Sequence, residues 1–289
     1  MHNYKAPFHN LSRQFHSRLG GTAADLLYFK EQLPRNFYYK NSPETTGNNS
    51  TNCWCANDEK GHKVCEDLES FLYKNRTAFP MSGQDWIDIN QFASKAGWTF
   101  LFDFNVLLRS KKNDKWSLSN AKKLLKFSSQ HKFNGLWFEL GNEPNSLKHQ
   151  LGFQISGRRL GRDFKRLRKL LDRFQLYKNS SLVGPDVNQL RAQGPGSKVQ
   201  KALKYLGDVV QGSKINDQSV LDALTWHHYY LNGHTATFQD FLDAKVLDNL
   251  SKMFETVQRF LEQKRINKPL WLGETSSAYG GGAHGLSDR

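Results

Sequence analysis

Along most of the chain, short apolar runs alternate with longer stretches in which apolar residues recur every three or four positions. The runs His16–Leu19, Trp98–Val106, Leu136–Leu140, Ser181–Val183, Leu221–Tyr230 and Leu270–Gly273 read as strands. Between them, Ser117–Phe127, Gly161–Leu176, Val199–Val210 and Lys245–Lys264 carry helical periodicity. Strand–helix alternation of this kind predicts an α/β fold built on parallel β/α units. Trp98-Thr99-Phe100-Leu101-Phe102 is apolar on both faces, as expected of a sheet covered by helices. The pattern lapses around 31–80, where the polar stretch Pro34–Lys60 reads as a surface insertion or linker.

One helix carries more than packing. Leu160, Phe164, Leu167, Leu171 and Phe174 form its buried stripe, while Arg158, Arg159, Arg162, Lys165, Arg166, Arg168, Lys169 and Arg173 fall in or just before the same stretch. Those cations are either a solvated face or a polyanion-binding surface. Across all 289 residues, 41 Lys and Arg stand against 27 Asp and Glu, a net charge of +14. Such an excess points to nucleic acid, anionic lipid headgroups or sulfated polysaccharide. Zinc-finger spacing, an aromatic RNA-binding motif and a helix-turn-helix signature are all missing from the sequence, so nucleic acid is not expected. No apolar run approaches the roughly 18 residues of a membrane span.

Cys53, Cys55 and Cys65 lie in one polar segment without nearby His at zinc spacing, so no metal site is expected. One disulfide with a spare thiol, and a partner cysteine elsewhere, both remain open. Glycosylation sequons at Asn10, Asn48, Asn49, Asn75, Asn179 and Asn249 fit a secretory route, although Met1-His2-Asn3-Tyr4-Lys5 opens no signal peptide.

The candidate chemistry lies at strand ends. Leu136–Leu140 runs into Gly141-Asn142-Glu143-Pro144-Asn145, and Leu270-Trp271-Leu272 into Gly273-Glu274-Thr275-Ser276-Ser277. In a β/α barrel the strand C-termini converge on one mouth, where the active site is built. Two carboxylates delivered there by different strands are the minimum for cleaving a glycosidic bond, and a retaining enzyme holds them roughly 5–5.5 Å apart. Glu139, inside its strand, is expected to be a structural, hydrogen-bonded residue. His227 and His228 are consecutive, so at most one faces the cleft.

Gly20-Gly21-Thr22, Glu139–Ser146, Gly184-Pro185-Asp186-Val187, Thr225–Gly233 and Trp271–Gly282, in this order, resemble the heparanase family, the endo-β-glucuronidases of glycoside hydrolase family 79. The resemblance runs from about Leu19 to Asp288 and is weak between Lys30 and Gly97. It implies a (β/α)8 TIM-barrel catalytic domain of which this chain, 1–289, supplies strands two to seven. Strands one and eight and a C-terminal β-sandwich would be missing. By resemblance Glu143 is the general acid/base and Glu274 the nucleophile. Asn142 bonds the sugar 2-hydroxyl and Tyr229 orients the nucleophile. Thr22, Gln189, Arg191, Tyr279, Gly280 and Gly281 contact substrate. No cofactor or metal is implied. The implied substrate is heparan sulfate or a heparin-like polysaccharide, which gives the +14 charge a partner. The implied location is secreted, extracellular or lysosomal, with peripheral cell-surface association through heparan sulfate. The family also has a non-cleaving, heparan-sulfate-binding branch. It lacks the stretch around Glu274 that is intact here, which favours the cleaving branch, but an open barrel would leave binding without catalysis.

Overall fold

The computed structural model describes residues 16–33, 38–40, 53–57, 63–67, 78–110, 113–188 and 198–287. Strand β1 (His16–Leu19) passes through a 3-10 turn (Ala24–Leu26) into β2 (Leu27–Lys30). The segment expected as a polar insertion holds β3 (Tyr38–Lys40), β4 (Cys53–Asn57) and β5 (Lys63–Asp67), an antiparallel sheet in which Cys55 is the register partner of Cys65. Strand β6 (Phe79–Ser82) returns parallel to β2 and enters α1 (Gly83–Lys95) through a capping box between Ser82 and Asp85.

From there strands and helices alternate: β7 (Thr99–Phe104), α2 (Leu118–Gln130), β8 (Leu136–Leu140), then the short α3 (Leu147–Leu151) and α4 (Gly157–Leu171). Next come β9 (Val183–Val187), α5 (Lys198–Gly212), and the small hairpin β10 (Lys214–Ile215) and β11 (Gln218–Ser219). Strand β12 (Ala223–Asn232), helices α6 (Phe238–Leu242), α7 (Ala244–Leu247) and α8 (Asn249–Gln263), and β13 (Leu270–Tyr279) complete the order.

Strands β1, β7 and β8 pair in parallel, as do β9, β12 and β13, and a parallel bridge between Phe138 and Leu182 joins the two sets. The resulting order of six strands is strongly curled. At ~4.8 Å per strand a flat sheet would separate β1 from β13 by about 24 Å. Instead Arg18 of β1 lies 3.4 Å from Glu274 of β13. Likewise Trp137 of β8 and Trp271 of β13 stack with ring centroids 5.4 Å apart.

The two faces follow from the strand period of two. On β7, Phe100, Phe102 and Phe104 join the main core against the helices, while Leu101 and Asp103 take the inner face. On β8, Leu136, Phe138 and Leu140 pack outward, and Trp137 and Glu139 inward. Helices α2, α4, α5 and α8 seal the outer face with Leu124 and Leu125, Leu160, Phe164 and Leu167, Leu203 and Leu206, and Met253 and Val257. Each such side chain, fully buried, contributes roughly 1.5–3 kcal/mol. The inside of the curl has an apolar floor of Leu101, Val183, Ala223, Trp137 and Trp271. Charged residues occupy the levels above it.

The expected cationic face of α4 is partly engaged. Arg159 bonds Asp114, Arg166 the Trp116 carbonyl, and Arg168 the carbonyls of Tyr177, Lys178 and Ser180. These arginines tie the helix to the loops at its two ends, and the exposed Arg158 pairs with Asp208 at 3.6 Å.

Candidate active site

The inner face of β1 offers one cation, Arg18, to a ring of acceptors from four other strands. Its Nε donates to Glu139 Oε2 at 2.7 Å, and its Nη2 donates to Asp186 and, at 3.2 Å, to Asn142 Oδ1. Nη1 reaches Glu274 Oε2 at 3.4 Å, and Asp103 Oδ2 lies 3.8 Å from Nη2. Glu139 is thus hydrogen-bonded, as expected from its place inside the strand.

Above this layer, β12 directs His227 inward. Its Nδ1 lies 3.1 Å from Glu143 Oε1 and 3.3 Å from Glu274 Oε2, and its Nε2 lies 3.4 Å from Asp186 Oδ1. His228 points to the other side, edge-on to Tyr230. Because Glu143 and Glu274 flank one nitrogen, their nearest oxygens are separated by no more than the sum of two short contacts.

The turn that presents Glu143 is tightly specified. Gly141 has φ 83°, and a Cβ there would meet Val106 Cβ at 2.7 Å, so only glycine fits. Glu143 itself has φ 45°, an uncommon backbone conformation for a side-chain-bearing residue. Its Oε2 accepts from Gln150 Nε2 at 2.7 Å and Asn188 Nδ2 at 2.6 Å. Asn188 is in turn fixed by Ser146 Oγ at 2.6 Å and Asn145 Nδ2 at 3.1 Å. Glu274 is held by the Tyr229 hydroxyl on Oε1 and by Arg18 on Oε2.

Burial and mutual charge set the protonation states below the two glutamates. Burial, then the charge of Asp186, pushes Glu139 up to about 8 against the pull of Arg18. Burial pushes Asp25, on the turn after β1, up to about 7, although backbone amides of Val106 and Asn142 act against it. Asp103 is raised for the same first reason, followed by the charge of Asp25. Burial works against the charged form of His227, yet Asp186, Glu143 and Glu274 raise it to about 10, making it an imidazolium. Burial would raise Asp186 too, but Arg18 and His227 hold it well below the usual carboxylate range. Two cations therefore sit among ionised and neutral carboxyls.

The remaining expected positions distribute around this centre. Asn142 is buried and bonded to Arg18. Tyr229 touches Glu274, and Tyr279, largely exposed, lies edge-on to Tyr229 at 6.4 Å. Gly280 and Gly281 follow with φ 86° and 92° in the turn after β13, and half-buried Thr22 occupies the turn after β1. Gln189 and Arg191 lie outside the described residues. Arg18, His227, Asp186, Gln150 and Asn188 were not singled out from the sequence as members of the site. Except for Gln150, which lies on α3, their common signal is a polar residue at or beside the inward C-terminal end of a strand. Among the described residues no helix is long and apolar enough to cross a membrane, and no group of His, Cys, Asp and Glu is arranged to hold a metal ion.

Residues 60–289 match the family described as glycosyl hydrolase family 79, N-terminal domain. Heparanase of Rattus norvegicus is 35% identical over 286 residues, covering 94% of this chain and 49% of its own length. Heparanase of Gallus gallus is 41% identical over 200 residues, covering 69% and 36%. Inactive heparanase-2 of Homo sapiens is 33% identical over 197 residues, covering 68% and 31%. This chain therefore spans between about a third and a half of the curated relatives it matches. Among solved structures, a 4-O-α-L-rhamnosyl-β-D-glucuronidase from Fusarium oxysporum superposes with a TM-score of 0.51 at 18% identity, covering 93% of this chain and 48% of that one. At that identity the likeness speaks to the fold alone.

Proposed function

Since the chain belongs to glycosyl hydrolase family 79, we propose that it provides the catalytic core of a retaining endo-β-glucuronidase acting on heparan sulfate. The observation that carries this reading is the placement of Glu143 and Glu274 on either side of His227 Nδ1, at 3.1 and 3.3 Å. The six parallel strands correspond in this reading to strands two to seven of a (β/α)8 barrel, with the site at their C-terminal ends.

The chemistry follows from the contacts. Glu274 Oε2 attacks the anomeric carbon of a glucuronate while Glu143 gives its proton to the leaving glycosidic oxygen. The same Glu143 then takes a proton from the water that hydrolyses the glycosyl-enzyme, with net retention. Tyr229 and Arg18 hold the Glu274 carboxylate by one oxygen each, which fixes its approach before substrate arrives. Gln150 and Asn188 donate to Glu143 Oε2 and His227 Nδ1 lies against Oε1, so three side chains hold the carboxyl in place. Asn142 directly precedes Glu143 and accepts from Arg18, and it is the side chain suited to bond the 2-hydroxyl. The excess of cations suits a sulfated, carboxylated polymer, and extracellular or lysosomal residence goes with that substrate.

A second reading, binding of heparan sulfate without cleavage, has support in the likeness to inactive heparanase-2. Incubation of the full chain with heparan sulfate at mildly acidic pH, with reducing ends counted, separates the two. Cleavage by the wild type, lost in Glu274→Gln while polysaccharide binding persists, is the expected result. Equal release by wild type and Glu274→Gln would sink the assignment of the nucleophile. Binding with no release by either supports the non-cleaving reading.

A further inference from the structure

Two fully buried carboxyls lie immediately behind the turn that carries Glu143, and neither takes part in the steps above. Asp25, on the 3-10 turn after β1, is 1% exposed, and Asp103 on β7 is wholly buried. Asp25 divides its two oxygens between neighbouring strand ends. Oδ1 accepts the Val106 amide at 3.1 Å just after β7, and Oδ2 accepts the Asn142 amide at 3.0 Å just after β8. Asp103 Oδ1 accepts the Gly141 amide at 2.6 Å. Two consecutive amides, those of the residues directly before Glu143, thus end on buried carboxyl oxygens.

That turn needs external support. It contains two residues with positive φ, Gly141 and Glu143. A non-glycine residue in such a conformation is strained and persists only where its surroundings over-determine it. Val106 supplies the packing half of that support, because its side chain fills the space above Gly141. Asp25 links the two halves, since the amide on its other oxygen belongs to Val106 itself.

We propose that Asp25, assisted by Asp103, is a positioning residue that sets the backbone turn presenting Glu143 and so aims its carboxyl at the leaving oxygen. The proposal rests on the assignment of Glu143 as acid/base. Simple space-filling does not require this arrangement, because apolar residues of similar volume often replace buried charged groups without loss of stability. The ionised Asp25, which prevails above about pH 7, accepts on both oxygens, whereas an amide would keep one acceptor oxygen and turn an NH2 towards one of the two backbone amides, so Asp25→Asn removes the brace with little change of volume.

An acid/base defect has a signature that general loosening lacks. A good leaving group such as 4-nitrophenol needs little protonation, whereas a sugar leaving group depends on it. For Asp25→Asn, kcat/KM on heparan sulfate is expected to fall about a hundredfold or more, within the range of acid–base catalysis. On 4-nitrophenyl β-D-glucuronide the fall should be several times smaller. Amide hydrogen exchange is measured on the same proteins. Asn142 should exchange at least about tenfold faster in the variant, while Phe138 and Leu140 within β8 keep their wild-type rates. Asp103→Leu fills similar space and removes the shorter of the two bonds of the Gly141 amide, leaving the Phe104 carbonyl at 3.0 Å; it should speed the Gly141 amide and stands in where Asp25→Asn fails to fold. Equal losses on both substrates, or unchanged exchange at Asn142 and Gly141, would overturn the proposal. A wild-type chain that cleaves neither glucuronide defeats the acid/base reading instead, and the exchange rates then decide by themselves whether the carboxyls brace the turn.

Discussion

Arg18 and Glu274 are in contact at 3.4 Å although their strands stand first and last in the parallel order. The contact closes a circuit of charge across the inside of the curl, because the same guanidinium also meets Glu139 and Asp186. Arg18 therefore answers for two things at once: the approach of Glu274 and the neutralisation of the layer below it.

Replacing Arg18 by Met keeps length and removes the charge. Asp186 and Glu139 then lose their principal cation in a buried setting, a loss that costs about 3–5 kcal/mol when one partner of a buried pair is removed. Urea unfolding at pH 7 should show a drop of that size. Arg18→Lys should recover part of the stability, since a point charge remains, but not the simultaneous contacts of the planar fork. A Met variant as stable as wild type would show that Arg18 does not hold the layer together.

Tyr229→Phe removes one hydroxyl. Burial and then the bond to Glu274 raise the Tyr229 phenol above its ordinary value, so it remains a proton donor throughout the range in which the enzyme would work. Loss of a pre-set donor to a reacting carboxylate is expected to lower kcat on the order of a hundredfold. The ring keeps its edge contact with Tyr279, so thermal unfolding should shift little. A kcat within a factor of two of wild type would remove Tyr229 from the positioning of Glu274.

The pattern of the sequence reveals the frame better than the site. His16–Leu19 and Leu136–Leu140 are read to the residue, each stopping at a glycine that leaves the sheet, and in the second an apolar run marks the strand. The sequence predicts a strand over Ser181–Val183, whereas β9 runs from Val183 to Val187. Pro185 has no amide to pair, and the next amide, of Asp186, goes to Thr225 Oγ1. Helix α1 escaped notice because its buried stripe of Trp86, Asn90 and Ala93 includes a polar residue, whose amide bonds the Trp86 carbonyl. Glu143 and Glu274 are legible as polar residues at strand ends. Arg18 and His227 are not, because their importance comes from partners 121 and 84 residues away.

Helix α4 begins at Gly157, four residues before its expected start at Gly161, for a reason that is itself testable. A Cβ on Gly161 would meet the Val209 carbonyl at 2.3 Å and the Gly212 backbone at 2.6 Å, so this glycine lets α4 and α5 approach closely. On an isolated helix Gly→Ala gains about 1 kcal/mol. Here the clash is with backbone, which cannot rotate away, and overpacking of this kind costs roughly 1–3 kcal/mol. Gly161→Ala should therefore lower the melting temperature. A stabilised variant would mean that the two helices have slack between them.

The dependence of stability on pH follows from the buried charges. Glu139 moves from 4.5 to about 8 on folding and Asp25 from 3.8 to about 7, both chiefly through burial. Across those windows the unfolded chain has released protons that the folded chain still holds, so stability falls as pH rises. His227 moves from 6.5 to about 10. Its stabilisation is complete below 6.5 and is lost as pH rises towards 10, in the same direction. Asp186 acts oppositely: its stabilisation is present above its unfolded value of 3.8 and is lost as pH falls from there. Together these groups place maximal stability in the mildly acidic range, with a steady decline from about pH 5 through pH 9. Thermal unfolding at pH 5, 7 and 9 reads this directly. Glu139→Gln should flatten the decline between pH 5 and 8, because an amide keeps an acceptor for Arg18 Nε and has no proton to lose. A melting temperature that holds or climbs from pH 5 to 8 would mean that Glu139 and Asp25 are already ionised in the folded chain.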